Sequence, residues 1–507
     1  MNIKEAKTDI MNTVKAYLLK NEQGQYRIPE VRQRPILLMG PPGIGKTQIM
    51  EQIARECGIG LVSYTITHHT RQSAVGLPFI KEKTYDGISY SVTEYTMSEI
   101  IHSIRNYMEE SGRKEGILFI DEINCVSETL APTMLQFLQC KTFGNQAVPK
   151  GWIIVAAGNP AEYNRSVHEY DFVTLDRVRR IDVEADLDVF REYARARHLH
   201  PFIVSYLELR PGNFYRTEKD VDGIRFVTAR GWEDLSALIT VYEELGIPVN
   251  EQVMGQYLQH PEVALDVAAY YDLYKKYRDD YDISRILAGN AGTDIYQKLF
   301  NASFDERLSC VELLVSGLYA VISSALHMED LTAAAHDHIL RYRESLSGAS
   351  REDGCYQSLL EELNSRILLE RQSRLLTDSQ ESFYRELLSL LREWIPDPSL
   401  APKEAFLSLK TNFESLLSLR DEAVSKAKKS LEHAFGFMEN AFGEHQEMVV
   451  FVTDLTMDPD ASRFISEAGC EQYIHYSKKL MVGSRRAAIL KEMDQQEIYS
   501  DISAWEF

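Results

Sequence analysis

Cysteine and positive charge are both scarce in this chain. Its six cysteines are scattered over 507 residues without a C-x-x-C pair. This indicates reduced thiols rather than a disulfide framework or a zinc site. Lysine and arginine total 55 against 76 acidic residues, giving a net charge of −21. Such a charge repels phosphate backbones and disfavours a nucleic-acid partner.

Long apolar runs and catalytic triads are also missing. The sequence has no uninterrupted apolar run of about 18 residues and no charged-then-apolar leader. We therefore expect no membrane partner and a cytoplasmic location. Histidines cluster at 68–69, 198–200 and 336–338, but without further ligands at metal-site spacing. No Ser/His/Asp or Cys/His triad can be assembled from local signatures.

A complete G-x-x-x-x-G-K-[ST] phosphate-binding loop is the most informative stretch that is present. It follows the apolar run 35–39 and precedes the helical pattern of residues 47–54. Its glycines let backbone amides turn toward phosphate oxygens, and the following helix adds its positive dipole end. We predict that Lys46 contacts the β- and γ-phosphates of ATP and that Thr47 ligates Mg²⁺. The loop consists of Gly40, Pro41, Pro42, Gly43, Ile44, Gly45, Lys46 and Thr47.

Two acidic residues end a second apolar run. Residues 117–120 lead directly into Asp121 and Glu122, which is a Walker B pattern. We predict that Asp121 supports Mg²⁺, directly or through water, and that Glu122 polarises the attacking water. The pair lies at the carboxyl end of a predicted strand, where open α/β sheets bind their ligands.

Three further polar positions lie downstream. Asn159 follows the apolar run 152–157 and can hydrogen-bond the γ-phosphate or the lytic water. Arg177 can reach a neighbouring subunit's site, but Arg179 and Arg180 compete for this role, and the spacing also fits a surface salt bridge. Arg230 opens a later helix and can contact the same phosphates from a second domain.

The order of these motifs resembles the AAA+ ATPases, and more narrowly their MoxR-type, dynein-related branch. The resemblance covers about residues 28–285 and implies that Asn159 is sensor 1, Arg177 the arginine finger and Arg230 sensor 2. It implies an α/β fold, in which a P-loop core with a parallel sheet between helices carries a helical lid; a mostly α-helical region follows. The expected parts are an N-terminal helix and linker (1–27), the nucleotide-binding core (28–184), the lid (185–285) and the C-terminal helical region (286–507).

Two hairpins are predicted between the motifs, at residues 76–92 and 141–148. The family places such hairpins at the pore of a ring, so Tyr85, Tyr90 and Phe143 are candidates for partner contact. Local packing of these three rings is an interpretation of equal weight.

The other segments are predicted to be helical. Residues 1–22 form an amphipathic pattern, with Ile10, Val14, Leu18 and Leu19 on the side expected to pack on the core. Residues 184–285 suggest helices broken by a longer loop near 210–215. An apolar stripe over 383–394 predicts another helix.

Two C-terminal segments leave alternatives open. Residues 402–442 predict one helix of about 40 residues, roughly 60 Å long. We favour bundle core for this helix over an antiparallel hairpin or a docking arm. Residues 448–453 fit a strand and a buried helix equally well.

Together these features predict a cytosolic, Mg²⁺-dependent ATPase. An arginine finger needs a neighbour, so we expect a homo-oligomer. The resemblance implies a hexameric ring that remodels a protein client in a chaperone-like way, beside a protein with a von Willebrand factor A domain. Two alternatives stay open: a nucleotide-gated scaffold with little turnover, and a nucleic-acid motor or GTP-dependent restriction subunit, because base preference has no comparable sequence signature.

Substituting Lys46 tests the phosphate loop directly. Lys46→Ala is expected to abolish nucleotide binding, because the ammonium supplies the loop's one side-chain charge on the phosphates. Calorimetric titration with ATP measures the affinity. Lys428→Ala, on the polar side of the predicted long helix, is the matched control and should bind normally. Unchanged affinity of Lys46→Ala would reject the assignment.

Overall fold

The computed structural model describes residues 1–68, 71–86, 88–127, 129–143, 146–163, 172–220, 223–347, 355–372, 375–397 and 400–480. The strands are β1 Ile36–Met39, β2 Gly60–Thr65, β3 Pro78–Tyr85, β4 Ile88–Tyr95, β5 Gly116–Asp121, β6 Thr142–Phe143, β7 Gln146–Ala147, β8 Trp152–Gly158, β9 Arg179–Asp182, β10 Arg216–Asp220 and β11 Gly223–Val227.

Helices make up most of the rest. The α-helices are α1 Ile3–Leu18, α2 Lys46–Cys57, α3 Arg71–Val75, α4 Glu99–Ser111, α5 Ala131–Cys140, α6 Phe172–Arg177, α7 Leu187–Ala196, α8 Pro201–Leu209, α9 Ala229–Leu245, α10 Glu251–Tyr257, α11 Pro261–Asp280, α12 Ile283–Leu287, α13 Thr293–Phe300, α14 Phe304–Ser347, α15 Cys355–Gln372, α16 Asp378–Glu393, α17 Pro402–Phe442, α18 Gln446–Met457 and α19 Pro459–Ala468. Short 3₁₀ turns lie at Glu30–Arg32, Ile66–His68 and Pro211–Asn213.

The central sheet is parallel, with strand order β2-β5-β8-β1-β9. In its register Ala156 of β8 pairs with Ile120 of β5 on one side and with Leu37 of β1 on the other. All three side chains are fully buried, as expected for a parallel sheet covered on both faces. The register brings the carboxyl ends of β1, β8 and β5 side by side. The predicted α/β core with a parallel sheet is thereby confirmed.

Helix α1 packs against α2 and is tied to the edge strand β9. Ile10 and Val14 are fully buried, whereas Leu19 is 50% exposed because α1 ends at Leu18. The prediction that Leu19 belongs to the packing side was therefore wrong. The Asp9 carboxylate accepts two hydrogen bonds from the Arg179 guanidinium, at 2.7 and 2.8 Å, which fixes the helix on the strand.

Both predicted hairpins are present. Strands β3 and β4 pair antiparallel from Pro78 opposite Tyr95 to Tyr85 opposite Ile88, and β6 pairs with β7. The Asp-Gly turn residue Gly87 and the turn at 144–145 lie outside the described residues. A third hairpin, β10 with β11, replaces part of the expected irregular loop after 210–215. Its Asp222-Gly223 pair was the sequence signal for it.

The chain divides into two compact units. One consists of Met1–Phe190, Thr228–Gly231 and Leu360–Leu388; the other of Arg191–Val227, Trp232–Leu359 and the chain from Ser389 onward. The first unit contains the parallel sheet. The second is mostly helical, as the sequence predicted for the C-terminal region.

The second unit is organised around two long helices. Helices α14 and α17 run antiparallel, with Phe413 lying against His336 and Arg420 beside Glu329. Bundle core, the favoured interpretation of residues 402–442, is confirmed, since Leu431, Phe435 and Met438 are buried. Residues 448–453 lie within helix α18, not in a strand.

One apolar window lies inside α14. Residues Phe304–Ser345 have a mean hydropathy of 1.7 in their most apolar window, which by length and composition alone is enough to cross a membrane. However, 61% of that window is buried inside the fold, which is typical of a core helix. Polar residues interrupt this window, so it is not an uninterrupted apolar run in the sequence. One such window is weak grounds for a membrane span.

The second unit contains a cluster of buried charged residues. Ligand oxygens of Glu208, Glu312 and Asp454 lie within 4.8 Å of one another, a spacing that could hold a metal ion. The Arg195 guanidinium, 4% exposed, pairs with Glu208 and Asp454 in the same cluster. Burial raises the pKa of both Glu312 and Asp454. The pair therefore releases its proton at a higher pH in the folded protein than in the unfolded chain.

The protonated pair makes stability depend on pH. A raised pKa means that the folded state binds more protons, so its contribution is present below the unfolded pKa and is lost as pH rises through the folded pKa. Glu312→Gln imitates the protonated carboxyl and should flatten this dependence. Calorimetric Tm values from pH 5 to 8 measure it, with the exposed Glu393→Gln as control. Equal slopes for wild type and Glu312→Gln would contradict a retained proton.

Candidate functional site

The phosphate loop connects β1 to α2 at the carboxyl edge of the sheet. Gly43 and Gly45 have φ angles of 74° and 92°, which side chains rarely adopt. A Cβ on Gly43 would also lie 2.9 Å from the Thr228 hydroxyl oxygen. Because Gly45 turns the chain in the left-handed region, α2 begins at Lys46 with its amino-terminal end at the loop.

Lys46 is the centre of the site's hydrogen bonds. Its ammonium donates to the carbonyl oxygens of Gly40 and Pro41, both at 2.9 Å, and to Oδ1 of Asn159 at 2.8 Å. The pKa of Lys46 is lowered to about 8, mainly by burial; the Arg230 guanidinium contributes to the shift, and the Asp121 and Glu122 carboxylates oppose it. The Lys46 ammonium is thus shielded from water and lies at the carboxyl ends of β1 and β8.

Thr47 and Asp121 are the oxygen donors of the site. The Thr47 hydroxyl donates to Oδ2 of Asp121 at 3.1 Å, so the end of β5 touches the first turn of α2. A hydroxyl and a carboxylate at this separation are the hard oxygen ligands that Mg²⁺ prefers, so the residues fit the ion. These two residues would hold Mg²⁺ if it is bound.

Glu122 follows Asp121 with an unusual backbone. Its φ of 55° is in the left-handed region, which is uncommon for a residue with a side chain. The Glu122 amide donates to Oδ1 of Asp121 at 2.9 Å, and its carbonyl accepts from Cys125 at 2.9 Å. The strand therefore ends in a tight turn instead of continuing, and strained backbone of this kind is common at active sites.

Asn159 lies between the two acidic residues and the loop because β8 lies between β5 and β1. The backbone of Asn159 is hydrogen-bonded by Asn124, a residue that was not predicted from the sequence. Asn124 is 2% exposed; its Nδ2 donates to the Asn159 carbonyl at 2.7 Å, and its Oδ1 accepts from the Asn159 amide at 3.3 Å. Its position two residues after Glu122 was the only sequence signal available.

Arg230 reaches the loop through its backbone. Its amide donates to the Gly43 carbonyl at 3.1 Å, and Thr228 beside it packs on Gly43. The guanidinium is exposed and acts on Lys46 through its charge. Thr228 is a second residue that the sequence analysis did not single out.

Arg177 lies apart from these groups. It is exposed at the end of α6, and its guanidinium hydrogen-bonds Oε1 of Gln139 at 2.5 Å. Its two competitors are held elsewhere: Arg179 pairs with Asp9, and Arg180 pairs with Asp182 two residues away. The structure thus gathers Lys46, Thr47, Asp121, Glu122, Asn159 and Arg230 within one chain, but not Arg177.

The hairpin candidates differ from one another. Phe143 is 1% exposed and stacks on Phe137 with ring centroids 3.9 Å apart, so local packing is the correct interpretation for it. Tyr90 is 50% exposed on β4. The side chain of Tyr85 and the segment His68 to Arg71, considered as a nucleotide sensor, lie outside the described side chains.

One family model and one described solved structure each match part of this chain. Residues 36–167 match the family model "ATPase family associated with various cellular activities (AAA)". No curated protein matches. Among 360 matching chains of solved structures is a crystal structure described as a "putative ATPase" from Cytophaga hutchinsonii. It is 16% identical with a TM-score of 0.21, and the match covers 38% of this chain and 55% of that one.

The present chain thus spans about half the length of that solved structure. At such an identity and TM-score, the family model and the motif geometry carry the conclusion. The matched region starts at β1 and contains the phosphate loop, the Asp121-Glu122 pair and Asn159. Residues 36–167 therefore form an AAA ATPase domain, with the phosphate loop and the acidic pair at the carboxyl edge of its sheet.

Proposed function

We propose that this ATPase works as a homo-oligomeric ring of the MoxR-type branch, with six subunits, and remodels a protein client. One observation carries the proposal. Six predicted site residues converge at the sheet edge, whereas Arg177 is exposed on α6 and faces no phosphate-loop residue among the described ones. A cation on the subunit surface suits a site completed by its neighbour.

Each residue has a separate task in the proposed hydrolysis. Lys46 exchanges its bond to Asn159 for a phosphate oxygen, which frees the amide of Asn159 to orient the attacking water. Glu122 polarises that water as general base. Mg²⁺ held by Thr47 and Asp121 supplies charge neutralisation on the phosphates. Arg230 senses the bound phosphate through the hydrogen bond from its backbone amide to the Gly43 carbonyl in the phosphate loop.

The hairpin β3–β4 is the proposed client-contact element. It carries five large apolar side chains that are exposed: Ile80 at 77%, Ile88 at 58%, Tyr90 at 50%, Phe79 at 42% and Tyr95 at 37%. Exposed apolar side chains grouped on one element are typical of protein contact sites. A partner with a von Willebrand factor A domain follows from the branch resemblance, and the charge of −21 supports a protein over a nucleic acid.

Turnover and mass measured together test the proposal. Glu122→Gln keeps the side chain's size but removes the base, so ATP hydrolysis should vanish while ATP binding persists. Light scattering on the same samples, with and without ATP, should show ATP-dependent oligomers for both proteins. A wild type that stays monomeric with ATP at all concentrations would contradict the ring. An oligomer with turnover equal in wild type and Glu122→Gln would contradict the base.

Mixed subunits test the arginine finger. Arg177→Ala should retain ATP binding but lose about 10³-fold or more in hydrolysis, as for other fingers. Mixing it with Lys46→Ala should restore part of the turnover, because one lesion lies on each side of a subunit interface.

Arg180→Ala is the matched control, since that arginine is also exposed but pairs with Asp182. It should hydrolyse ATP normally and need no rescue. Absence of rescue in the Arg177→Ala and Lys46→Ala mixture, at concentrations where both oligomerise, would count against a finger supplied by the neighbour.

A further inference from the structure

The turn after Glu122 and the segment after β8 are joined by one side chain. The side-chain amide of Asn124 makes two hydrogen bonds with the backbone of Asn159. Its Nδ2 donates to the Asn159 carbonyl oxygen, and its Oδ1 accepts from the Asn159 backbone N–H group. It thereby pairs with the chain as another strand residue would. Since both partner atoms belong to Asn159, this contact sets the position of Asn159 itself.

The surroundings leave Asn124 little freedom. It is 2% exposed, and a Cβ on Gly158 would lie 2.6 Å from its Oδ1, so only glycine fits at that position. The neighbouring Ile123 amide donates to the Ala157 carbonyl at 2.9 Å, which gives the turn a second anchor on β8. A buried amide that is held in this way transmits displacement instead of absorbing it.

The contact lies in a chain of bonds that runs through the whole site. Glu122 is bound to Cys125 across the turn, Asn124 to Asn159, and Asn159 to Lys46. We propose that Asn124 is a positioning residue. It aligns the side-chain amide of Asn159 with the phosphate loop and fixes the distance between that amide and Glu122. This inference rests on the roles proposed above for Glu122 and Asn159. Asn124 itself touches neither Lys46 nor the phosphate loop through the hydrogen bonds that the described residues make.

Asn124→Ala tests the inference by a split between rate and binding. We expect kcat for ATP to fall by between about 10-fold and 10²-fold, since small misplacements of a catalytic group have effects of this size. The calorimetric Kd for ATP should stay unchanged, because Lys46 retains its loop contacts. A lost ATP affinity, or a normal kcat in a folded variant, would overturn the proposal.

Two further variants separate positioning from simple destabilisation. On the Asn159→Ala background, Asn124→Ala should cause no additional loss in kcat, because the group that it positions is gone. Multiplicative losses would overturn the proposal. Gly158→Ala should reproduce the kcat defect, since its methyl group displaces Asn124, whereas Gly436→Ala, with open space around its Cβ position in α17, should not.

Hydrogen exchange supplies a readout that does not depend on turnover. Asn124→Ala should speed the exchange of the Asn159 amide in peptides covering 152–163, while peptides from α4 remain unchanged. Equal exchange of this amide in wild type and variant would overturn the positioning role even if the wild type were inactive. Absence of wild-type turnover, by contrast, bears on the proposed ATP-driven function and not on this contact.

Discussion

The hydrogen-bond register of three parallel strands determines which residues meet at the carboxyl edge of the sheet. Because β8 pairs with both β1 and β5, the phosphate loop, the Asn159 segment and the acidic pair end at the same level. None of the three segments is near another along the chain. A shift of β8 by one residue would turn Asn159 away and place Gly158 where the amide is needed. Fully buried strands such as Leu37 to Met39 resist such a shift.

This register explains why Lys46 can be both buried and charged. Water is excluded from its ammonium, which lowers its pKa, but three oxygen acceptors from two different strand ends replace the lost hydration. The acceptors exist only when the strands are aligned. The lysine, the loop carbonyls and the side-chain amide of Asn159 are therefore brought together by the fold itself.

Sequence patterns predicted the parts that depend on local chemistry. The glycine spacing predicted the loop, and apolar runs that end in polar residues predicted β5 and β8 together with the site residues at their carboxyl ends. The sequence patterns failed where side-chain packing determines the position of a residue. For Phe143, partner contact and local packing fitted the sequence equally well, and its stacking on Phe137 decides for packing. Leu19 continued a helical stripe beyond the helix end, and Asn124 was not predicted to belong to the site. Arg177, Arg179 and Arg180 lie close together in the sequence. The structure distinguishes Arg177 because the other two arginines form ion pairs with Asp9 and Asp182, and sequence spacing does not reveal ion-pair partners.

The left-handed backbone at Glu122 has a consequence for how the sequence is maintained. A residue with a side chain costs about 1–2 kcal/mol in that region, and glycine would relieve most of it after its own entropy loss of about 0.5–1 kcal/mol. Folding alone thus gives no advantage to glutamate at this turn and slightly favours its replacement. Folding stability therefore does not explain the glutamate at this turn, whereas the general-base role proposed for Glu122 does.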